Sequence, residues 1–490
     1  MKRTNLLLFL VIFLEGYVVL STELLAIRQV MPFVGNSTDT ISIIIAAVLM
    51  PLAFGYALGG KFVPHTDPRT GQKQTLRNRL LLNLSVAAII LSFGLSHATA
   101  KMFFDTLHLM AGVSSKTLST TLYATIFIVL PVFLLGQTVP LVSNYFRREH
   151  LSTFAGRILF LSTLGSFAGS VLCTLVLMPH IGVHFTVIVT LACLMLLAVL
   201  LSRRVFNRYV AMTFIALLLT LGLNSKTTLE RLHIVADDQY MTVQVVAPKM
   251  KDGTENNSVS IFKINSTWAS GIYTDKTRTD NMFSTMDYIE KQFIYSRPED
   301  APAIDILVIG AGGFTAGLKD NKNNYTFVDL NPNLKNIAET SFLKEKLGPN
   351  KKFVPEEARA YLAYTKEKYD LIILDPYQDT SGIPTGLVTR EFFVELNNVL
   401  KPDGIMSGNF YVSINFSDEF SIRLDNTMRT VFPNLNRHAL VSYKGWDQKK
   451  AQYQNVIYSA FKNGIDARGI YTDDLNRAFL DKKCDGCLAQ

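Results

Sequence analysis

Charge is what this chain has least of. Only 18% of its 490 residues are Asp, Glu, Lys or Arg, against 49% hydrophobic, where a water-soluble chain carries about 25% charged residues. The shortage is uneven: the long apolar runs fall in residues 1–224, and residues 225–490 read as ordinary globular protein. Cysteine is scarce as well, at four residues. Cys173 and Cys193 sit in apolar runs and read as packing residues, while Cys484 and Cys487 form a single Cys-Asp-Gly-Cys near the C-terminus. With no second CxxC and no nearby His pair, a tetrahedral zinc set is not expected. No small-residue cleavage site follows Lys2-Arg3 and the run Leu6–Leu14, so this stretch reads as a retained helix rather than a signal peptide.

What is present is apolar and periodic. Segments near Leu6–Met31, Thr40–Phe62, Leu80–His97, Leu118–Val142, Phe154–Met178, Phe185–Leu201 and Tyr209–Leu223 approach the ~20 residues a helix needs to cross a bilayer. The spacing predicts a polytopic α-helical membrane domain of about seven helices over 1–224. The net charge of +8 would suit nucleic acid. Many of its Lys and Arg, however, sit in short loops between apolar runs (61–79, 147–157, 203–208), where they orient helices with the basic loops facing the cytoplasm. The partner expected from this is a lipid bilayer, with no nucleic acid. Seven crossings would place the C-terminal part opposite Lys2-Arg3; if one segment does not cross, the Glu-bearing first being the best candidate for a re-entrant one, it lies on the same side.

Glu15, Glu23 and Arg28 interrupt the first segment. Charge in such a place needs a partner or a cavity, so the alternatives are a polar site inside the bundle and an ion pair that fixes packing. A partner on another helix is expected. Gly55, Gly59, Gly60, Gly156, Gly165 and Gly169 are spaced to let helices approach closely, and Pro131, Pro140 and Pro179 are expected to kink or end helices.

The second half changes period. Tyr240–Val246 and Ser258–Ile264 alternate as strands do, which predicts a small β domain with a connecting helix over 225–300. From Asp305 strands alternate with helical patterns, predicting parallel βαβ units over 301–465, followed by a tail at 466–490. Asp305-Ile-Leu-Val-Ile-Gly-Ala-Gly-Gly313 is expected to be a strand and the first strand-to-helix turn. The full GxGxxG is not met, since position 315 is Thr. Asp329 follows Gly313 by sixteen residues at the end of the next strand, where a carboxylate takes ribose hydroxyls. Glu357 has two readings: an acid near an adenine, or the favoured acid of a helix start. Asp375 ends a further apolar strand and can act as a base or hold a cation, or simply cap a turn. Lys401-Pro-Asp-Gly404 reads as a turn before a last strand, Ile405–Phe410.

Residues 233–462 resemble the spermidine synthase (polyamine aminopropyltransferase) domain, a Rossmann-like methyltransferase fold with a small N-terminal β domain. Gly136-Gln-Thr-Val-Pro140, Gly156–Gly169, Pro179-His-Ile-Gly182 and Ser381–Phe393 resemble the bacterial membrane-fused form. The resemblance implies transfer of an aminopropyl group from decarboxylated S-adenosylmethionine to an amine such as putrescine, with no prosthetic group and no metal. It implies the donor over Gly310 and Gly312, its ribose on Asp329 and its adenine near Glu357. Asp375 would be the base, with Tyr240, Tyr377 and Asp379 toward the amine. The implied location is the inner membrane, and self-association is in keeping with soluble relatives. The family's pattern has an Asp after the glycines where this chain has Phe314, a Tyr-Gln where it has Tyr240-Met241, and acids three apart where Asp375 and Asp379 are four apart. Two other functions stand beside aminopropyl transfer: a methyltransferase using S-adenosylmethionine itself, which the absence of that Asp favours, and a non-catalytic sensor or transporter of polyamine or nucleoside, which the acidic residues of the first apolar segment suggest.

Overall fold

Long apolar runs become helices because only a helix satisfies every backbone group within its own segment. In the computed structural model the described residues are 2–35, 37–66, 73–113, 115–144, 151–202, 207–248, 254–265, 267–278, 280–376, 383–440 and 453–461. The chain divides into two units, Met1–Gln239 and Tyr240–Gln490.

Among the described residues of the first unit, five helices are long and apolar enough to cross a membrane. They are α1 (Leu6–Val34), α2 (Thr38–Gly59), α3 (Leu76–Gly94), α5 (Lys116–Ser143) and α6 (Ala155–Leu201), with α4 (His97–Ala111) between α3 and α5 and a shorter apolar α7 (Arg208–Leu223) at the end. The segments predicted at Phe154–Met178 and Phe185–Leu201 are the two arms of α6, two helices joined across a kink. Its 47 residues would span about 70 Å, more than twice the ~30 Å hydrocarbon core. Gly182, at φ 81° and ψ 168°, breaks it between the arms. Pro131 and Pro179 are each preceded by a π-helical stretch, Thr125–Val129 and Leu172–Leu177, so the helix is locally distorted at both prolines rather than ended there. A widened turn accommodates the residue that cannot donate an N–H.

The glycines do bring helices together. A Cβ on Gly165 would overlap the carbonyl of Phe13, and one on Gly169 would lie 2.5 Å from that of Tyr17. Both contacts are backbone to backbone, so neither can yield by a rotamer change. Gly165→Val is therefore expected to destabilise the α1–α6 pair by about 1–3 kcal/mol or more, read as a lower thermal midpoint of the detergent-solubilised protein. Gly156, with nothing within 4 Å of its Cβ position, should accept Ala without loss.

Arg28 is paired, but not on another helix. Its Nη2 donates to Asp237 Oδ1 at 2.8 Å and its Nε to the Asp238 carbonyl at 2.6 Å. Asp237 ends the strand β1 (Ile234–Asp237), and His184 Nδ1 lies 3.3 Å from its other oxygen.

The second unit opens with three antiparallel strands, β2 (Thr242–Val246), β3 (Val259–Ile264) and β4 (Thr267–Tyr273), and a helix, α8 (Ser284–Phe293). A seven-stranded sheet follows: β5 (Asp305–Ile309), β6 (Asn324–Asp329), β7 (Lys351–Pro355), β8 (Tyr369–Leu374), β9 (Leu400–Ser413), β10 (Asn434–Ala439) and β11 (Tyr453–Phe461). Its spatial order is β10-β11-β9-β8-β5-β6-β7, parallel except for β11. Ile306 to Ile309 are all essentially inaccessible, as a strand covered on both faces requires. Two expectations are corrected. The strand beginning near Ile405 is not the last, since β10 and β11 extend the sheet beyond it. Lys401–Gly404 is not a free turn but a register jump inside β9. Lys401 Nζ there bridges Asp305 and Asp370 at 2.8 and 2.7 Å, tying the amino ends of β5 and β8.

Candidate active site

Strand order reverses between β5 and β8, so their carboxyl ends diverge and leave a crevice, the place where open α/β sheets bind ligands. Gly310 follows β5 and Asp375 follows β8. Gly310 has φ 89°, and a Cβ on it would overlap the Asp375 carbonyl; only glycine fits. The Asp375 amide completes the join by donating to the Ile309 carbonyl at 2.9 Å. Gly312, at φ 51°, passes beneath Ser270 of β4, whose Oγ accepts the Gly313 N–H at 2.9 Å.

The structure departs from expectation after Gly313. No helix follows; residues 314–323 make a chain of tight turns, Phe314 N–H to Ala311, Leu318 to Thr315 and Asp320 to Gly317. The segment is too short to climb a helix and return to β6 at Asn324. Gly317 at φ 58° and Asp320, whose carboxylate takes the N–H groups of Lys322 and Asn323, favour turns instead. Phe314, also at positive φ (60°), is fully buried and packs on Phe327 and Phe353 at centroid distances of 5.0 and 5.3 Å. The position next to the glycines is thus spent on the core. In place of a helix, the buried Glu290 of α8 braces the turn, accepting the Gly317 N–H at 2.8 Å; burial pushes its carboxyl up to about 7.

Asp329 ends β6 beside this turn and accepts the Ala311 N–H at 3.0 Å. Burial raises its carboxyl above the usual range, and backbone N–H groups from Ala311 and Asn331 oppose the rise. Asp375 is half-buried. Burial pushes it up to about 6, against a hydrogen bond of 3.0 Å donated by Asn409 Nδ2. Among the described residues that amide is the one side chain bonded to the carboxylate, which leaves its charge weakly stabilised.

The turn and the two strand ends therefore bring Gly310, Gly312, Asp329 and Asp375 together. Glu357 is exposed and used as a helix cap, accepting the Ala360 N–H at 2.9 Å. Tyr240 is half-buried ahead of β2. Tyr377 and Asp379 lie outside the described residues, as do Cys484 and Cys487. Among the described residues no group of three or more His, Cys, Asp or Glu is placed to hold a metal. Sequence reasoning missed Asn409, Ser270 and Glu290. For Asn409 a signal existed, a lone amide in the apolar run Ile405–Phe410 one strand over from Asp375. Asn409→Leu removes a bond to the charged form of Asp375. The carboxyl then rises further, and the acidic limb of kcat/KM is expected to move to higher pH in a pH–rate profile.

Comparison with known proteins gives matches to polyamine aminopropyltransferases and to an N-terminal histidine N-methyltransferase of Emericella nidulans, the latter 25% identical over 329 residues and covering 61% of this chain and 54% of that one. Residues 305–443 match the spermine/spermidine synthase domain. The chain is 30% identical over 140 residues to a probable polyamine aminopropyl transferase of Bifidobacterium longum, covering 28% of this chain and 30% of that protein. It is 24% identical over 415 residues to polyamine aminopropyltransferase 2 of Aquifex aeolicus, covering 81% of this chain and 77% of that one. Among solved structures it is similar to a probable spermidine synthase from Corynebacterium glutamicum, with a TM-score of 0.38, 19% identity, and coverage of 46% of this chain and 79% of that one. The chain thus spans under a third of the Bifidobacterium relative and about three quarters of the Aquifex one.

Proposed function

We propose, from residues 305–443 belonging to the spermine/spermidine synthase domain family, that this protein is a membrane-bound aminopropyltransferase. The observation that carries the reading is the meeting of Gly310, Gly312, Asp329 and Asp375 at the strand-order reversal. In this reading the donor is decarboxylated S-adenosylmethionine, its ribose on Asp329 and its sulfonium over the glycine turn, and the acceptor is a small amine such as putrescine. Asp375 takes a proton from the amine. The freed nitrogen lone pair attacks the aminopropyl carbon next to sulfur, the C–S bond breaks, and its electron pair leaves with the thioether nucleoside. Catalysis is mainly alignment of the two substrates. Glu357 near the adenine, and Tyr240, Tyr377 and Asp379 near the amine, belong to this proposal.

The membrane location is supported by five helices of sufficient length and by Leu49, Phe54, Leu159, Phe160, Phe167 and Leu175, each more than half exposed. Apolar area of that extent belongs against lipid. With α6 crossing once per arm and α7 once, the chain crosses seven times, and the second unit lies opposite the basic loops. A reporter fused after Gln490 tests this, and a cytoplasmic signal would refute it.

One observation favours a second reading. Phe314 turns into the core, so the glycine turn offers no carboxylate to a free aminopropyl ammonium. A donor that keeps its own carboxylate, S-adenosylmethionine itself, needs none, and the reaction would then be methyl transfer. Incubating the purified protein with putrescine and each donor separates the two. Aminopropylated amine is the expected product, and methylated amine alone would overturn the first reading.

A further inference from the structure

Buried charge in the first unit is satisfied at Arg28 and Asp237, but not at Glu15. Glu15 is 1% exposed. Both of its carboxylate oxygens are buried and without a hydrogen-bond partner among the described residues. It stands nine residues into α1, about 14 Å from Leu6 along the axis. Next to it, Gly16 brings the backbone of α6 at Ser162 against α1, so the helix contact closes over the carboxylate.

The groups that face it are few. Tyr56 of α2 lies within its electrostatic reach, and Ser166 Oγ donates to the Gly16 carbonyl at 3.5 Å rather than to Glu15. Tyr17 on α1 itself faces Cys173 and Cys193 instead. No cation among the described residues stands close enough to offset a charge on Glu15. An ionised carboxylate with no partner is strongly disfavoured in such a setting, and an apolar side chain of like size would pack there without that penalty. The form the surroundings tolerate is the neutral acid. Its single proton can leave only when a change in the α1, α2 and α6 contacts admits a solvating partner.

We propose that Glu15 is an exchangeable proton site inside the helical unit, with the proton itself as ligand. The site gives that unit a binding activity besides anchoring the second one. It rests on the membrane reading of the first unit and not on the transferase reading.

The test uses the full chain in liposomes and infrared difference spectra between the wild type and Glu15→Gln. The expected result is a protonated-carboxyl C=O band present in the wild type and lost in the variant. It should shift on transfer to D2O and bleach as pH is raised. A band that persists at every pH and does not shift in D2O would mark a locked structural acid and overturn the proposal. So would the absence of any band. If Glu15→Gln does not fold, two measurements remain: carbodiimide labelling of the wild type followed by peptide mass analysis, and the spectrum of Glu15→Asp. Modification at Glu15 that falls with rising pH supports the site; no modification there refutes it.

Discussion

Asp375→Asn is expected to lower kcat for aminopropyl transfer by about 10²–10⁴-fold, the usual cost of losing a general base, while binding of the nucleoside donor stays within a few-fold. The variant keeps the shape of the side chain and its neighbour Asn409, so the loss reads proton transfer rather than packing. The wild-type rate supplies a second readout. The working form of Asp375 is the carboxylate, and burial holds its carboxyl at about 6. The limb of kcat/KM should therefore rise through about pH 6 and be flat above it until other groups titrate. Stability moves the opposite way. An aspartate whose folded value is raised costs stability when ionised; that cost is absent below its unfolded value, about 3.9, and complete above about 6. Asp375→Asn should thus be no less stable than the wild type at pH 7–8, and more stable by up to about 3 kcal/mol. Donor binding by calorimetry and a thermal melt at two pH values check both points. Full activity in the variant would remove Asp375 from the mechanism.

Phe314→Asp is the second large effect, and its direction runs against simple restoration of the family's pattern. The ring is fully buried between Phe327 and Phe353, so the substitution leaves a cavity and places a carboxylate in an aromatic nest. Loss of a buried Phe alone is worth about 3–5 kcal/mol, and an unpaired charge adds to it. The expected outcome is a marked fall in the denaturation midpoint and loss of donor binding through collapse of the turn. Phe314→Leu, which keeps apolar volume, should retain most of both. Gain of activity by Phe314→Asp would show that the turn can rebuild itself with the acid facing the ligand, contrary to the packing described.

Much of this was legible before the fold. The apolar runs of the first unit, β5, β6 and β8, and the placing of Gly310, Asp329 and Asp375 at strand ends are read from composition and period. Both are local properties, and strand ends are where α/β sheets put ligands. The turn after Gly313 was misread because a glycine-rich motif after a strand ordinarily opens a helix. Here the segment before β6 is too short for one, and Phe314 has a better place in the core.

Determined by the sequence alone were the division into an apolar and a globular half, the α/β character of the second, and the candidates Asp329 and Asp375, since each depends on residues close together in the chain. Only the tertiary structure decided that Asn409 supports Asp375, that Arg28 pairs with Asp237 rather than with a helix, that Glu290 braces the glycine turn, and that Glu15 alone among these carboxylates goes unpaired. Those facts join residues from 27 to 209 positions apart, or, for Glu15, record that no such join exists among the described residues. Strand register and helix contact set them, and no local pattern carries that information.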